Sequence, residues 1–265
     1  MDSSLEEIEF LALSANRVDV LRLLSDDRCT RRELAEATGA SQATLGRILA
    51  DFDDRSWVRR DGSEYAATAT GRLVATGFTD LQEIIETERT LREIVDYLPT
   101  ESLSFDLRRL SDATITVPTQ TRPNAPLQRL LGLLEDADEV WTASHAFNEQ
   151  TLTVVRERTL EGDQRFNGVF SRSAIEALTH DSGLRRRLEG LLETEHASVR
   201  ITDEEIPLAV MIVDDVVTLL LRDDDGILRA SVDVSDEVIR SWAENTFEAY
   251  WERATPLDVE MVGSG

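Results

Sequence analysis

Residues 30–67 constrain the fold more than any other stretch. Thr30 opens a T-x-x-E pattern with Glu33, a capping box in which two residues satisfy each other's unpaired helix-start groups. It predicts a helix carrying Leu34, Ala35 and Ala37 inward, closed by Gly39 in the left-handed conformation that ends helices. Ser41 then caps another helix, in which Leu45, Ile48, Leu49 and Phe52 recur at helical spacing. Residues 57–67, WVRRDGSEYAA, hold two extended pieces around the hairpin dipeptide Asp61-Gly62. Thr68 and Thr70 precede a further helix containing Leu73 and Val74. Upstream, residues 4–24 place Leu5, Ile8, Leu11, Ala12, Ala15, Val18, Leu21 and Leu24 on one helical face. Helix, helix, turn, helix, hairpin, helix is the order of a winged helix-turn-helix domain.

Such a domain usually meets DNA, yet the chain of 265 residues has 52 acids against 28 bases and a formal net charge of −24. All the bases are arginine; lysine is absent. An acidic, lysine-free surface fits a cytoplasm at molar salt, where the Debye length is about 3 Å and self-repulsion is screened. An Arg-rich, high-GC genome is the alternative origin of the same composition. The charge is also unevenly spread. Residues 28–60 hold seven Arg (28, 31, 32, 47, 55, 59, 60) and five acids (33, 36, 51, 53, 54), a local balance of +2.

If the Ser41-capped helix buries Leu45, Leu49 and Phe52, then Gln42, Ala43, Thr44, Gly46 and Arg47 point outward. Gln can pair with adenine, Arg with guanine or phosphate, and Ala or a Thr methyl can touch thymine. Gly46 would let the backbone approach closely. Ser41, Arg32 and the wing residues Arg59 and Arg60 complete the expected contact set with double-stranded DNA. The alternative for these arginines is ordinary surface charge.

Residues 78–98 read as a long helix with Leu81, Ile84, Leu91, Val95 and Leu98 in a 3/4 alternation, ended by Pro99. It serves either a homodimer contact or packing within one chain. Beyond it the texture becomes mixed. Residues 114–126 hold three of the six prolines after a β-rich start. A strand is expected at 139–143, helices at 148–161, 172–179 and 183–194, and a strand at 166–170. Four strands follow at 197–201, 208–213, 216–221 and 227–234, with Asp-rich turns that imply an antiparallel meander. The last alternates Leu228, Ala230, Val232 and Val234 with Arg229, Ser231 and Asp233, which predicts one water-facing side. An amphipathic helix at 236–253 closes the chain. The expected fold is therefore α+β to α/β: a winged helix-turn-helix domain at 1–77, a linker or dimerisation helix at 78–99, and a mixed α/β sensor-like domain at 100–265.

Catalytic and metal chemistry finds no pattern here. His145, His180 and His196 have no metal-ligand spacing, the nucleophile-elbow and phosphate-loop motifs are missing, and the Asp223–Asp225 run lacks the rest of a calcium loop. No enzyme, cofactor or metal site is expected. Cys29 is the sole cysteine, so no internal disulfide forms, and it is expected as a small buried apolar group. With no signal-peptide pattern and no apolar run near 18 residues, a cytoplasmic location off the membrane is expected. In the second domain, ligands commonly sit at the carboxyl ends of strands. That picks out Ser144, His145 and Asn148 after one strand, with Arg172 and Ser173 after the next, as a wall for an anionic or sugar-like effector. Ordinary loop residues are the alternative.

The chain resembles haloarchaeal winged-helix transcriptional regulators whose C-terminal part is related to the middle domain of a methanogenesis regulatory protein. The likeness rests on TRRELAEATGASQATLGRILADF and WVRRDGSEYAATATGR in the first domain. In the second it rests on LRRLSDATITVPTQTRPNAP, EVWTAS and FNGVFSRSAIEAL. It covers most of the chain and implies a DNA-binding, dimeric regulator with a C-terminal sensing or oligomerisation domain. It carries no ligand residues over. A ligand-independent adaptor of the transcription machinery is the competing expectation.

Overall fold

The computed structural model describes residues 3–263, which divide into two compact units between Glu86 and Thr87. In the first unit the capping box forms as its spacing requires. The Thr30 backbone N–H donates to Glu33 Oε2 at 2.7 Å, and the Glu33 N–H donates to Thr30 Oγ1 at 3.3 Å. These bonds hold the Glu33 carboxyl below its ordinary value. The helix they start, α3 (Arg31–Thr38), ends at Gly39 with φ +70°. Helix α4 (Gln42–Asp54) follows under the Ser41 cap, whose Oγ accepts from the Thr44 N–H at 3.1 Å. Leu45, Ile48, Leu49 and Phe52 are all buried, together with Leu34 and with Val20, Leu21 and Leu24 of α2 (Ala15–Asp26). Each large apolar side chain so buried contributes about 1.5–3 kcal/mol. The Phe10, Phe52 and Trp57 rings close this core with centroids 5.8–6.2 Å apart.

Four local expectations change. Residues 4–24 form two helices, α1 (Ser4–Ala12) and α2, because Ser14 is extended between them. Leu5 is 74% exposed, and Leu11 is the buried residue of α1. Ala37 faces solvent, so α3 buries a narrower stripe. The wing strands β2 (Val58–Asp61) and β3 (Glu64–Ala67) pair with Asp61 opposite Glu64. The turn is therefore Gly62-Ser63, with Gly62 at φ +62° in its first central position. A two-residue strand, β1 (Cys29–Thr30), adds to β3 and leaves Cys29 half-buried. Burial and the carboxylates of Glu33, Asp27 and Glu64 push its thiol pKa up.

Helix α5 (Ala69–Leu91) is continuous across residue 77 and stops at Leu91, short of the expected 98. Residues 95–97 form a 3-10 turn, and Leu98 before Pro99 is extended, as the proline ring demands. Leu91 and Leu98 are buried, whereas Leu81, Ile84 and Val95 are exposed.

The second unit is built on an eight-stranded sheet of order β11-β7-β6-β5-β8-β9-β10-β4. Strands β5 (Glu139–Ser144), β6 (Arg165–Ser171) and β7 (Ala197–Thr202) are parallel neighbours. Strands β8 (Ala209–Val213), β9 (Val216–Arg222) and β10 (Leu228–Val234) form an antiparallel meander on the other side of β5. The edges are β4 (Thr114–Thr116) and β11 (Thr255–Pro256). Of the four strands expected to meander, β7 stands apart because β8 inserts beside β5.

Both faces of the sheet are covered. Helices α6 (Ala125–Asp136), α7 (Glu149–Glu161), α8 (Arg172–Thr179) and α9 (Ser182–Leu192) pack with Val140, Phe166, Phe170, Met211 and Leu220. Helix α10 (Glu237–Arg253) and residues 91–110 pack with Val210, Ile212, Val217 and Leu219 on the opposite face. Helix α6 overturns the water-facing side expected for the last strand. Ser231 and Asp233 are buried, and Arg129 of α6 donates from Nε to Asp233 Oδ2 at 2.7 Å. Among the described residues no helix is long and apolar enough to cross a membrane, and no His, Cys, Asp and Glu cluster could hold a metal.

Candidate nucleic-acid interface and ligand cavity

Helix α4 presents Gln42, Ala43 and Arg47 to solvent, with Ser41 exposed at its start. Thr44 is half-buried, and its Oγ1 lies 2.9 Å from Ser41 Oγ, so it supports the cap first. Gly46 is half-buried too, and its missing Cβ has a different use from the expected close approach. A Cβ there would sit 2.9 Å from Arg31 Nη2, so the glycine makes room for the Arg31 guanidinium to lie across the helix. The Gln42 side chain donates to Arg31 O at 3.4 Å.

The charges sort by position. Asp51 is 3.7 Å from Arg17, and Arg55 Nε is 2.7 Å from Glu7. Arg28 pairs with Asp61 at 3.1 Å, and Arg32 pairs loosely with Glu36 at 3.9 Å. Among the described residues no acid lies within ion-pair reach of Arg31, Arg47 or Arg59. Arg60 is held against the wing: its Nε donates to Gly62 O at 2.8 Å and its guanidinium lies 5.7 Å from the Tyr65 ring. A groove of about 210 Å³ runs between α4 and the wing, with Arg31, Gly46, Ala50, Asp53, Arg59 and Arg60 in its walls. Asp53 is the acid that enters this otherwise basic surface. Helical spacing counts Arg31 among the bases but not among the contacts, because only the fold brings it over Gly46.

The five residues expected around an effector separate into two places. Ser144 and Asn148 line a partly open cavity of about 280 Å³ bounded by α6, α7 and the sheet. Ser144 Oγ donates to Ala146 O at 2.9 Å, and Asn148 caps α7 by accepting from the Gln150 and Thr151 N–H groups. His145, Arg172 and Ser173 line an open pocket instead, together with Glu176, Asp203, Glu204 and Glu205. There Arg172 Nε donates to Asp203 Oδ1 at 2.5 Å, which raises the arginine's pKa and lowers the aspartate's. The expected positive wall is thus neutralised and its surroundings are acidic. His145 is half-buried; burial, then the Arg222 charge, lowers its pKa. Arg222 carries no signal in the sequence that marks it for a site. It ends β9, lines the same cavity, and donates from Nη1 to Gly226 O at 2.8 Å, while its buried Nε has no partner. Burial lowers its pKa.

Residues 5–90 match the model of the HVO_A0261 N-terminal domain, and residues 123–253 match the middle domain of the methanogenesis regulatory protein FilR1. Both matches fall where the sequence resemblance placed them, one in each unit. No curated protein matches it. Among solved structures, TrmBL2, an archaeal chromatin protein, is 16% identical with a TM-score of 0.42, over 96% of this chain and 100% of that one. The phospholipase D family member Nuc from Salmonella typhimurium is 12% identical with a TM-score of 0.43, over 55% and 99%. NucT from Helicobacter pylori is 13% identical with a TM-score of 0.43, over 55% and 98%. At these values none carries an argument about activity.

Proposed function

We propose that the protein is a sequence-specific, DNA-binding transcription regulator that acts as a homodimer and receives a small-molecule signal in its C-terminal unit. The observation that carries the DNA reading is the set of unpaired arginines, Arg31, Arg47 and Arg59, on and beside the exposed face of α4 in a chain of net charge −24. The match to the middle domain of the methanogenesis regulatory protein FilR1 agrees with it. Gln42, Ala43 and Arg47 would read bases, while Ser41, Thr44, Arg32, Arg59 and Arg60 would fix register on phosphates. The organisation we propose is a DNA-binding part at 1–77, a connecting and dimerising part at 78–99 and a signal-receiving part at 100–265.

The test uses the duplex recovered by genome-wide occupancy mapping, with binding followed by fluorescence anisotropy at molar KCl. Arg47→Ala should weaken binding about tenfold or more, the loss of one base-reading pair. Full affinity in that variant would sink the role assigned to α4. The three arginines assigned to phosphates, Arg32, Arg59 and Arg60, set the salt response. Log affinity should fall with log salt at a slope of about −2.7 per engaged unit, from about −0.9 per phosphate neutralised.

Dimerisation is supported by apolar surface in the first unit. Ile8, Leu11, Trp57, Leu73, Phe78 and Leu81 line a groove of about 680 Å³ between α1 and α5, with Leu73 74% exposed. Soluble monomers seldom leave such a contiguous face uncovered. Leu73→Arg should turn a dimer into a monomer in sedimentation velocity while leaving the helical circular dichroism signal intact. An unchanged sedimentation coefficient would move the interface elsewhere.

A further inference from the structure

Arg222 stands out for what it lacks. In a chain with 52 acids, Arg222 makes no ion pair among the described residues, and it is half-buried beside an apolar cavity. Its Nη1 is anchored on Gly226 O at the turn after β9, whereas its Nε–H is buried with no acceptor. A half-buried charge without a carboxylate and an unmet buried donor both oppose folding, so an arrangement that keeps both is expected where a ligand completes it. Arg229, a neighbour on the next strand, shows the contrast: its Nη2 lies 2.6 Å from Asp223 Oδ2.

The cavity that Arg222 lines has an apolar body. Leu130 of α6, Leu152 and Val155 of α7, Phe166 and Phe170 of β6, and Met211 of β8 form its walls. The Phe147 and Phe170 rings stack at 3.9 Å on one side. At about 280 Å³ it falls just under the usual range of roughly 300–1,000 Å³ for small-molecule sites, which suits a compact acid better than a long lipid. One guanidinium matches one negative charge. A phosphate dianion would need more donors than this wall supplies, and a sugar would need more polar groups. The open pocket holding His145 and Arg172 is acidic and would repel the same anion.

We propose that this cavity binds a compact apolar monocarboxylate, with its hydrocarbon or aromatic body between α6, α7 and the sheet and its carboxylate on Arg222. Ser144 and Asn148 also line the cavity, but the Ser144 proton is held by Ala146 O and Asn148 Oδ1 by the α7 cap, which leaves the charge recognition to Arg222. This rests on reading the C-terminal unit as the signal receiver, and it names the chemical class of that signal.

The test measures melting temperature of the full chain at molar KCl, without DNA. The probes are octanoate and phenylacetate, each against its alcohol (1-octanol and 2-phenylethanol), with sulfate as a control anion. The acids should raise the melting temperature by several degrees, the alcohols less, and sulfate not at all. Arg222→Gln should cut affinity for the acids by about tenfold to a hundredfold, the worth of a hydrogen bond to a charged group, and leave the alcohols unchanged. Arg222→Lys, which keeps the charge, should retain a preference for acid over alcohol. Met211→Trp, which fills the cavity, should abolish the response to both. Equal shifts from acid and alcohol, or an undiminished preference for acid in Arg222→Gln, would overturn the assignment. Operator binding is then measured with and without the acid. An acid that binds through Arg222 but leaves operator affinity unchanged would uphold the site and remove the signal-receiving role.

Discussion

Gly71→Ala is expected to destabilise the first unit by about 3 kcal/mol or more, at or beyond the upper end of ordinary overpacking costs. A Cβ on Gly71 would lie 2.0 Å from the Trp57 carbonyl oxygen and 2.8 Å from its carbon. That carbonyl cannot retreat, because it accepts the Thr68 N–H at 2.8 Å and lies 3.2 Å from the Thr68 hydroxyl. The same hydroxyl donates to Ser56 O at 2.7 Å and accepts the Gly71 N–H at 3.1 Å. The start of α5 and the base of the wing are thus one hydrogen-bonded knot, and the glycine is the point at which they touch. For a unit of this size each kcal/mol moves the melting temperature by about 4–8 °C. A loss of more than about 12 °C is therefore expected by circular dichroism, from the same scaling. Gly77→Ala, six positions along the same helix, is the control. Nothing lies within 4 Å of its missing Cβ, so it should stabilise, by up to about 1 kcal/mol. Two glycine variants of one helix with the same sign would refute this account.

Arg129→Met is expected to destabilise the second unit by about 3 kcal/mol, the cost of stranding a buried charge. Asp233 is 4% exposed, and its carboxylate is satisfied by Arg129 Nε at 2.7 Å and the Thr218 hydroxyl at 2.9 Å. Removing one partner of a buried pair costs about 3–5 kcal/mol, because the other charge stays buried alone. The lower end applies here, since the Arg129 side chain is 43% exposed. Asp233→Asn on the Arg129→Met background should recover most of the loss, because it removes the stranded charge and keeps an oxygen for Thr218. A double variant no more stable than the single one would show that Arg129 acts through packing alone.

Asp233 also marks the limit of what strand periodicity can say. Alternation along 228–234 does place Ser231 and Asp233 on one face, and the structure keeps them there. What covers that face is α6, residues 125–136, whose start Pro123 and Pro126 disguise as a loop. Pro126 instead occupies the first turn of α6, where its missing N–H costs no hydrogen bond. The same disguise hides the cavity, since α6 forms one of its walls. The effector residues divided for a related reason. Ser144 is the last residue of β5 and faces the cavity, whereas the chain bends at His145 and turns its side chain into the acidic pocket.

By itself the sequence determined whatever depends on residues near one another in the chain. The capping box, the Gly39 stop, the Ser41 cap and the buried stripe of α4 follow from spacings of three and four residues, and the wing follows from its turn. Those features settle the winged helix-turn-helix order and the buried stripe of α4, though Thr44 and Gly46, expected to point outward, are half-buried. Only the tertiary structure decided which charges remain unpaired. Arg31 reaches the α4 face because Gly46 leaves room for it, Arg172 is neutralised by Asp203 across 31 positions, and Arg222 is left without a carboxylate. Coulomb and hydrogen-bond partners are set by distance in space, and in a chain this rich in acids no spacing rule foretells which arginine will go without.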